Sequence, residues 1–247
     1  MIRLGVDIGG TGIKGGLVDL TDAELIGDRF RLLTPDPATP EQCAGVIREI
    51  LDHFSWDGPT GIAVPGKIVD GVVRSAYNID ESWLGVRASE FFDEALGVKT
   101  TVINDADAAG LAEMRWGAGK EEDGLVVMLT FGTGIGSAMF LGGQMIANTE
   151  LGHLQLRGTD VENWASANAR EDEDLSWDEW AERLTEYFEH LELLFSPSLY
   201  IIGGGVSKES DAFIPKIKSR GRIVPARFRN RAGIVGLAHA TTLEGLT

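Results

Sequence analysis

Leu4-Gly5-Val6-Asp7-Ile8-Gly9-Gly10-Thr11-Gly12-Ile13-Lys14-Gly15-Gly16-Leu17-Val18-Asp19 is the stretch whose reading decides the fold. Two apolar runs of strand type flank a turn so rich in glycine that its backbone N–H groups can close around an anion with no side chain in the way. Gly10, Gly12 and Gly15 also satisfy the G-x-G-x-x-G spacing of a dinucleotide site. Such a site needs a helix after the glycines, so that the pyrophosphate meets the helix N-terminus. Here Gly16 to Leu20 continues as strand, the chain turns at Thr21 to Ala23, and a further strand-like run follows from Glu24 to Leu33. The pattern therefore predicts a meander whose turn is a phosphate cradle.

The motif occurs twice. Gly10-Thr11-Gly12-Ile13 returns as Gly132-Thr133-Gly134-Ile135, after an apolar strand (Leu125 to Phe131) and before another (Ser137 to Leu141). Two copies of one phosphate-binding hairpin predict two similar halves facing each other over a shared ligand. With Asp7 at the first turn and Thr133 at the second, the sequence resembles the fold of actin, the sugar kinases and the heat-shock chaperones. That resemblance implies an α/β, two-domain, actin-like (ribonuclease H-like) sugar kinase fold with a cleft between the domains, phosphates at the hairpins and a divalent metal. The expected division is a small N-terminal α/β domain over 1–104 and a larger one over 105–231, with a C-terminal helix over about 232–247 packing back on the first.

At 247 residues the chain can bury one or two ordinary cores, and the duplication favours two. Hydrophobic content of 43% and charged content of 24% are those of a soluble globular protein. No run of about 18 apolar residues is present for a membrane span, and Asp7 interrupts the N-terminus too early for a signal peptide. A cytoplasmic protein with no membrane partner is expected. The single cysteine, Cys43, excludes an intramolecular disulfide and a multi-thiolate zinc site. Its neighbours Ala44, Val46 and Ile47 place it in a core. A net charge of −16 argues against nucleic acid as a partner. The charge is uneven, however. Lys208, Lys216, Lys218, Arg220, Arg222, Arg227, Arg229 and Arg231 stand against only Glu209 and Asp211, a net of +6 over 208–231. That segment is a candidate surface for a polyanion, with ordinary solvated charges as the alternative.

Along the chain, Thr39-Pro40-Glu41-Gln42 reads as a capping box opening a helix that runs to His53-Phe54. Thr60 to Val64 reads as a strand, Ala88 to Leu96 as a short helix closed by Gly97, and Val98 to Ile103 as a strand. The loop Tyr77-Asn78-Ile79 carries an amide beside an aromatic ring, which suits a hydroxyl-rich ligand because the amide both donates and accepts. Asn104-Asp105-Ala106-Asp107 follows the strand directly. Acidic residues there can be simple helix caps. Position favours more, because α/β sheets place their chemistry beyond the carboxyl ends of strands. Asp105, at the junction itself, is the candidate general base. Glu150-x-x-His153 has the spacing of a metal pair on a helix, but Thr149 and Gly152 disfavour a helix, so hydroxyl recognition is the expected role. Glu162 to Ala169 reads as a helix and Glu171 to Asp174 as a solvated loop. Ser176-Trp177-Asp178-Glu179 is a second capping box, before an apolar face of Leu184, Phe188, Leu191 and Leu194. Leu199 to Ile202 is a buried strand emptying into Gly203-Gly204-Gly205-Val206-Ser207-Lys208. There, glycines permit close approach of backbone to a ligand or make a tight turn.

Taken in order, Asp7-Ile8-Gly9-Gly10-Thr11, Asn104-Asp105, the second hairpin, Glu150-x-x-His153 and Gly203-Gly204-Gly205 resemble the ROK family of sugar kinases and repressors across essentially the whole chain. Tyr77-Asn78-Ile79-Asp80, Asn148 to His153, Gly205-Val206-Ser207-Lys208 and Ala232-Gly233-Ile234-Val235-Gly236 look most like its polyphosphate glucokinases. The resemblance implies glucose phosphorylated at its 6-hydroxyl, inorganic polyphosphate as donor with ATP as a possible second one, and a family habit of forming homodimers. It implies Asp105 as the base, and Asn78, Asn104, Glu150, His153 and Glu162 on the other sugar hydroxyls. Asp7 would orient Mg²⁺ through water, while Gly9, Gly10, Thr11, Gly12, Lys14, Thr133, Gly134, Gly204, Gly205 and Lys208 would meet the donor. The cysteine cluster of most family members is absent, so no structural zinc is expected. Polyphosphate glucokinases share that departure. An ATP-dependent kinase for another hexose is the alternative. A noncatalytic sugar sensor is disfavoured by Asp105 and by the first strand following directly on Met1, where family repressors carry a DNA-binding segment.

Overall fold

The computed structural model of the chain describes residues 1–76 and 79–246. β1 (Ile2–Gly9), β2 (Gly12–Asp19) and β3 (Glu24–Leu32) form the expected meander. β1 and β2 pair without a break from Ile2 with Asp19 to Gly9 with Gly12, which leaves Gly10-Thr11 as a two-residue turn. α1 (Pro40–His53) starts where the Thr39 hydroxyl accepts from Gln42 N, with Pro40 in the first turn. There follow β4 (Thr60–Ala63), a small ribbon of β5 (Ile68–Val69) and β6 (Val72–Val73), α2 (Ala88–Leu96) and β7 (Thr100–Ile103). α2 stops at Gly97, whose φ of 69° is the left-handed cap that glycine adopts without strain. α3 (Asp105–Trp116) follows at once.

The second half repeats the plan with β8 (Leu125–Phe131), β9 (Ile135–Leu141) and β10 (Gln144–Ile146). A short hairpin of β11 (Gln155–Leu156) and β12 (Thr159–Asp160) precedes α4 (Glu162–Ala165), α5 (Ala167–Asp172) and α6 (Trp177–Leu194). The chain closes with β13 (Leu199–Gly203), α7 (Ser210–Phe213), β14 (Arg222–Pro225) and α8 (Ala232–Ala240). The main sheets run β3-β2-β1-β4-β7 and β10-β9-β8-β13-β14. In each, the first three strands are antiparallel and the last two join in parallel. The repeated hairpin is thus the visible part of a repeated sheet topology.

The chain divides into two compact units, Met1–Ala112 with Arg231–Thr247, and Glu113–Asn230. The first buries Leu4, Val6 and Ile8 of β1 against Ile47 and Ile50 of α1, with Trp83 and Phe92 alongside. The second buries Phe131, Trp180, Phe188, Tyr200 and Phe213 together. No helix among the described residues is long and apolar enough to cross a membrane.

Three local expectations change. The stretch from Glu162 to Ala169 is two helices, because Ser166 turns extended (ψ 166°) and uses its hydroxyl to cap α5 at Ala169 N. The acidic run from Glu171 is helical through Asp172, and the chain turns only at Asp174, with φ 50°. Leu194 is 51% exposed instead of continuing the α6 core face. At 100° per residue it points about 80° away from Leu184, while Phe188 and Leu191 stay within about 40°.

α8 lies on β1 and β4 with backbone against backbone. A Cβ on Gly5 would stand 2.2 Å from Ile234 O, and one on Gly61 only 1.9 Å from Leu237 O. On the helix itself, a Cβ on Gly236 would stand 1.6 Å from Ala108 O of α3. None of these obstacles is a side chain that can turn aside. Gly61→Ala and Gly236→Ala are therefore expected to lower unfolding stability by about 3 kcal/mol each. Gly233→Ala, where a Cβ meets nothing within 4 Å, is expected to raise it by up to about 1 kcal/mol. Urea unfolding midpoints of the three variants check the contrast.

Candidate active site

In the first unit the strand register sets Asp7, Lys14 and Arg31 in one row across β1, β2 and β3. Lys14 Nζ lies 3.1 Å from Asp7 Oδ2, both side chains partly open to water. Arg31, which sequence reading missed, donates to Thr11 O at 2.8 Å and so spans the hairpin turn. Its guanidinium lies over Gly12, where a Cβ would stand 2.4 Å from Nε. Thr34 adds a hydrogen bond from its hydroxyl to Gly9 O. The glycine-rich turn is therefore fastened from the third strand and from the chain just after it, and a cation sits at its rim. Only the pairing of β2 with β3 reveals this, because Arg31 follows Lys14 by seventeen positions.

Asp105 opens α3 directly after β7, and Asn104 caps the helix. Asn104 Oδ1 accepts from Ala106 N at 2.8 Å and from Asp107 N at 3.2 Å, while Nδ2 donates to Gly66 O at 3.2 Å. The amide oxygen is thus committed to the helix. The remaining amide hydrogen is what Asn104 can give a ligand. Asp105 Oδ1 accepts from Ala106 N at 3.0 Å. Burial and the neighbouring Asp7 carboxylate push the Asp105 pKa up to about 6, against its backbone N–H partners and the Lys14 ammonium, which pull it down. Protein surrounds the group on most sides, yet the residue stays exposed to water.

In the second unit Phe131 pairs with Ile135, and the turn Gly132-Thr133-Gly134 closes with Gly132 N donating to Gly134 O at 3.0 Å. Glu162, first residue of α4, lays its carboxylate on this turn. Oε2 accepts from Ile135 N at 3.1 Å, and a Cβ on Gly134 would stand 2.5 Å from it. The triple glycine that ends β13 reaches the same hairpin. Gly204 has φ 83°, and a Cβ there would meet Phe131 O at 2.1 Å, so this glycine serves both conformation and approach. Gly205 has open space around it, and Lys208 is exposed in the turn that follows.

Glu150 leads into a single 3-10 turn, Leu151–His153, whose three-residue period brings Glu150 and His153 to one side. His153 Nε2 lies 3.9 Å from Glu150 Oε2. Its Nδ1 lies 2.9 Å from Asp160 Oδ2 and 3.5 Å from Glu162 Oε1. Glu150, His153 and Glu162 are thus gathered, and Asp160 joins them. Asp160 was missed because it sits on β12, brought back by a two-residue turn at Arg157-Gly158. Both residues there take positive φ, 57° and 81°, the primed geometry of tight hairpins. His153, Asp160 and Glu162 offer ligand atoms all within 4.8 Å of one another. A set of one imidazole and two carboxylates suits a hydrogen-bonded network or a hard cation better than a thiolate-type zinc site. Asn78 lies outside the described residues.

Four cations of the basic segment 208–231 have protein partners. Lys216 pairs with Asp178 at 2.8 Å, Arg222 with Glu122 at 2.9 Å and Arg231 with Glu24 at 2.7 Å. Arg227 donates to Trp116 O at 3.2 Å. β14 runs parallel to β13 with Leu199 beside Arg222 and Ile202 beside Pro225. Arg222 therefore lies at the opposite end of the strand from the glycines after β13.

The ROK family model matches residues 3–170. A polyphosphate glucokinase of Mycobacterium tuberculosis is 48% identical over 97% of this chain and 91% of its own length. Among solved structures, an inorganic polyphosphate/ATP-glucomannokinase from Arthrobacter sp. strain KM superposes with a TM-score of 0.93 at 49% identity, covering 99% of both chains. A ROK family glucokinase from Streptomyces griseus, solved with glucose and AMPPNP, gives 0.82 at 26% identity over 97% of this chain and 98% of that one. A family match over most of the sequence and near-half identity along almost its whole length leave one assignment: this chain belongs to the ROK family.

Proposed function

We propose that this chain is a polyphosphate glucokinase, transferring the terminal phosphoryl group of inorganic polyphosphate to the 6-hydroxyl of glucose, with ATP as a second donor. The observation that carries the reading is Asp105, a water-accessible carboxylate of raised pKa at a strand-to-helix junction, with Asp7 and Lys14 acting on it electrostatically. Full-length likeness to proteins bearing those substrate names supports the choice of sugar and donor.

Asp105 accepts the proton of the 6-hydroxyl as its oxygen bonds to the terminal phosphorus. The bond from that phosphorus to the bridging oxygen breaks, and polyphosphate shorter by one unit leaves. The transferred group is loosely bonded in such a transition state, so positioning and charge count for more than base strength. Lys14 and Arg31 supply cations at the first hairpin, and the turn amides around Thr11 and Thr133 supply donors to the phosphates. Glu150, His153 and Glu162 take sugar hydroxyls, with Asn78 and the spare N–H of Asn104. Gly204, Gly205 and Lys208 extend the donor side.

Asp7 fits a Mg²⁺ ion held with waters and phosphate oxygens, since Mg²⁺ takes one or two carboxylates and keeps much of its own hydration. When bound, the ion neutralises charge on the donor. The family resemblance extends the reading to a cytoplasmic homodimer.

Glucose 6-phosphate formation is to be measured with Mg²⁺ and either polyphosphate or ATP as sole donor. Turnover with polyphosphate that falls about 10²–10⁴-fold in Asp105→Ala is expected. Turnover with ATP alone would overturn the donor assignment. In the wild type, kcat/KM for glucose should fall tenfold per pH unit below about 6, where Asp105 takes up its proton. Stability should move the other way. Ionised Asp105 is less favourable folded than unfolded, so above pH about 6 it costs stability, and the cost disappears as pH falls towards the ordinary value of 3.8. Asp105→Asn should therefore melt above the wild type at pH 8, by a margin that shrinks as pH passes down through about 6.

A further inference from the structure

An ionised carboxylate can only accept a hydrogen bond. His153 Nδ1 faces two of them, Asp160 at 2.9 Å and Glu162 at 3.5 Å, so this nitrogen carries a hydrogen. A neutral imidazole then presents Nε2 as an acceptor. Of the two carboxylates, Asp160 is the nearer. Its other oxygen accepts from the Gln155 amide, its partner across the β11–β12 hairpin. The hairpin tip is fixed in turn, since Arg157 Nε donates to Glu186 Oε1 at 2.8 Å and its guanidinium lies 4.7 Å from the centre of the Trp164 ring.

We propose that Asp160 is the positioning residue for His153: it selects the Nδ1–H form and sets the ring so that Nε2 accepts a hydrogen from a sugar hydroxyl. The proposal rests on the sugar-kinase reading for the identity of the ligand, though not for the state of the ring. Among the described residues, Glu150, Asp160 and Glu162 face His153, and all three are carboxylates. With Nε2 as an acceptor as well, this wall offers a ligand acceptors throughout. It therefore selects a polyol that brings several O–H donors, and it disfavours sugars in which an acceptor replaces a hydroxyl hydrogen.

The test uses the full chain without donor at pH 8. Nitrogen NMR of histidine-labelled protein reports the tautomer of His153, identified among the four histidines by His153→Ala. The expected result is Nδ1–H in the wild type and a shift to Nε2–H in Asp160→Ala. Calorimetry should show glucose affinity falling about 10–100-fold in Asp160→Ala, the range for outer partners of a ligating histidine. Asp160→Asn keeps the shape and an acceptor oxygen, so it should fold as the wild type does and lose less affinity. Asp160→Glu should recover most of it, and the donor KM should stay unchanged. Retention of Nδ1–H in Asp160→Ala, or unchanged glucose affinity in that variant, would overturn the proposal. A wild type that binds no glucose would sink the sugar-kinase reading instead, while the tautomer measurement would still decide the role of Asp160.

Discussion

Backbone-to-backbone contact at three glycines holds the first unit in the form its chemistry needs. Gly5 and Gly61 let α8 lie directly on β1 and β4, and Gly236 lets α3 lie directly on α8. α3 begins at Asp105, so the position of that carboxylate is inherited from a helix that arrives more than a hundred residues later in the chain. Protein interiors are packed too tightly for this stack to absorb an added methyl without moving a main chain. The placement of the Asp105 carboxylate therefore depends on glycines far from it in sequence.

One sheet topology serves different chemistry in the two units. In the first, the hairpin turn is fastened by Arg31 and Thr34, and the row Asp7-Lys14-Arg31 alternates charge across three strands. In the second, the corresponding turn is fastened by the Glu162 carboxylate and by the approach of Gly204. The first arrangement leaves cations at the rim, and the second leaves acceptors. The acidic surplus of the sequence is in part the cluster of Glu150, Asp160 and Glu162 around His153.

The basic segment shows how a linear count misleads. Its eight cations look continuous in sequence, but β14 runs parallel to β13, so Arg222 at its start lies a strand's length from the residues that follow Pro225. Ion pairs to Asp178, Glu122 and Glu24 then occupy three of the cations.

What the sequence determined by itself was whatever rests on local chemistry or on repetition. The two hairpins, the cap at Thr39, the full capping box at Ser176 and Glu179, the glycine stop at Gly97 and the strand-to-helix junction at Asp105 each follow from neighbours within a few residues. The duplicated motif carried the sheet plan with it. Only the tertiary structure decided what depends on register or on contacts between distant segments. Arg31 reaches the first hairpin through β2–β3 pairing, and Asp160 reaches His153 through a turn whose Arg-Gly sequence is a weak hairpin signal. Ser166 broke one predicted helix into two, and Leu194 fell outside its stripe through the drift of the helical period. The physical reason is common to all of them: backbone preference acts over a few residues, whereas the partners of a buried or charged side chain are fixed only when the sheets close.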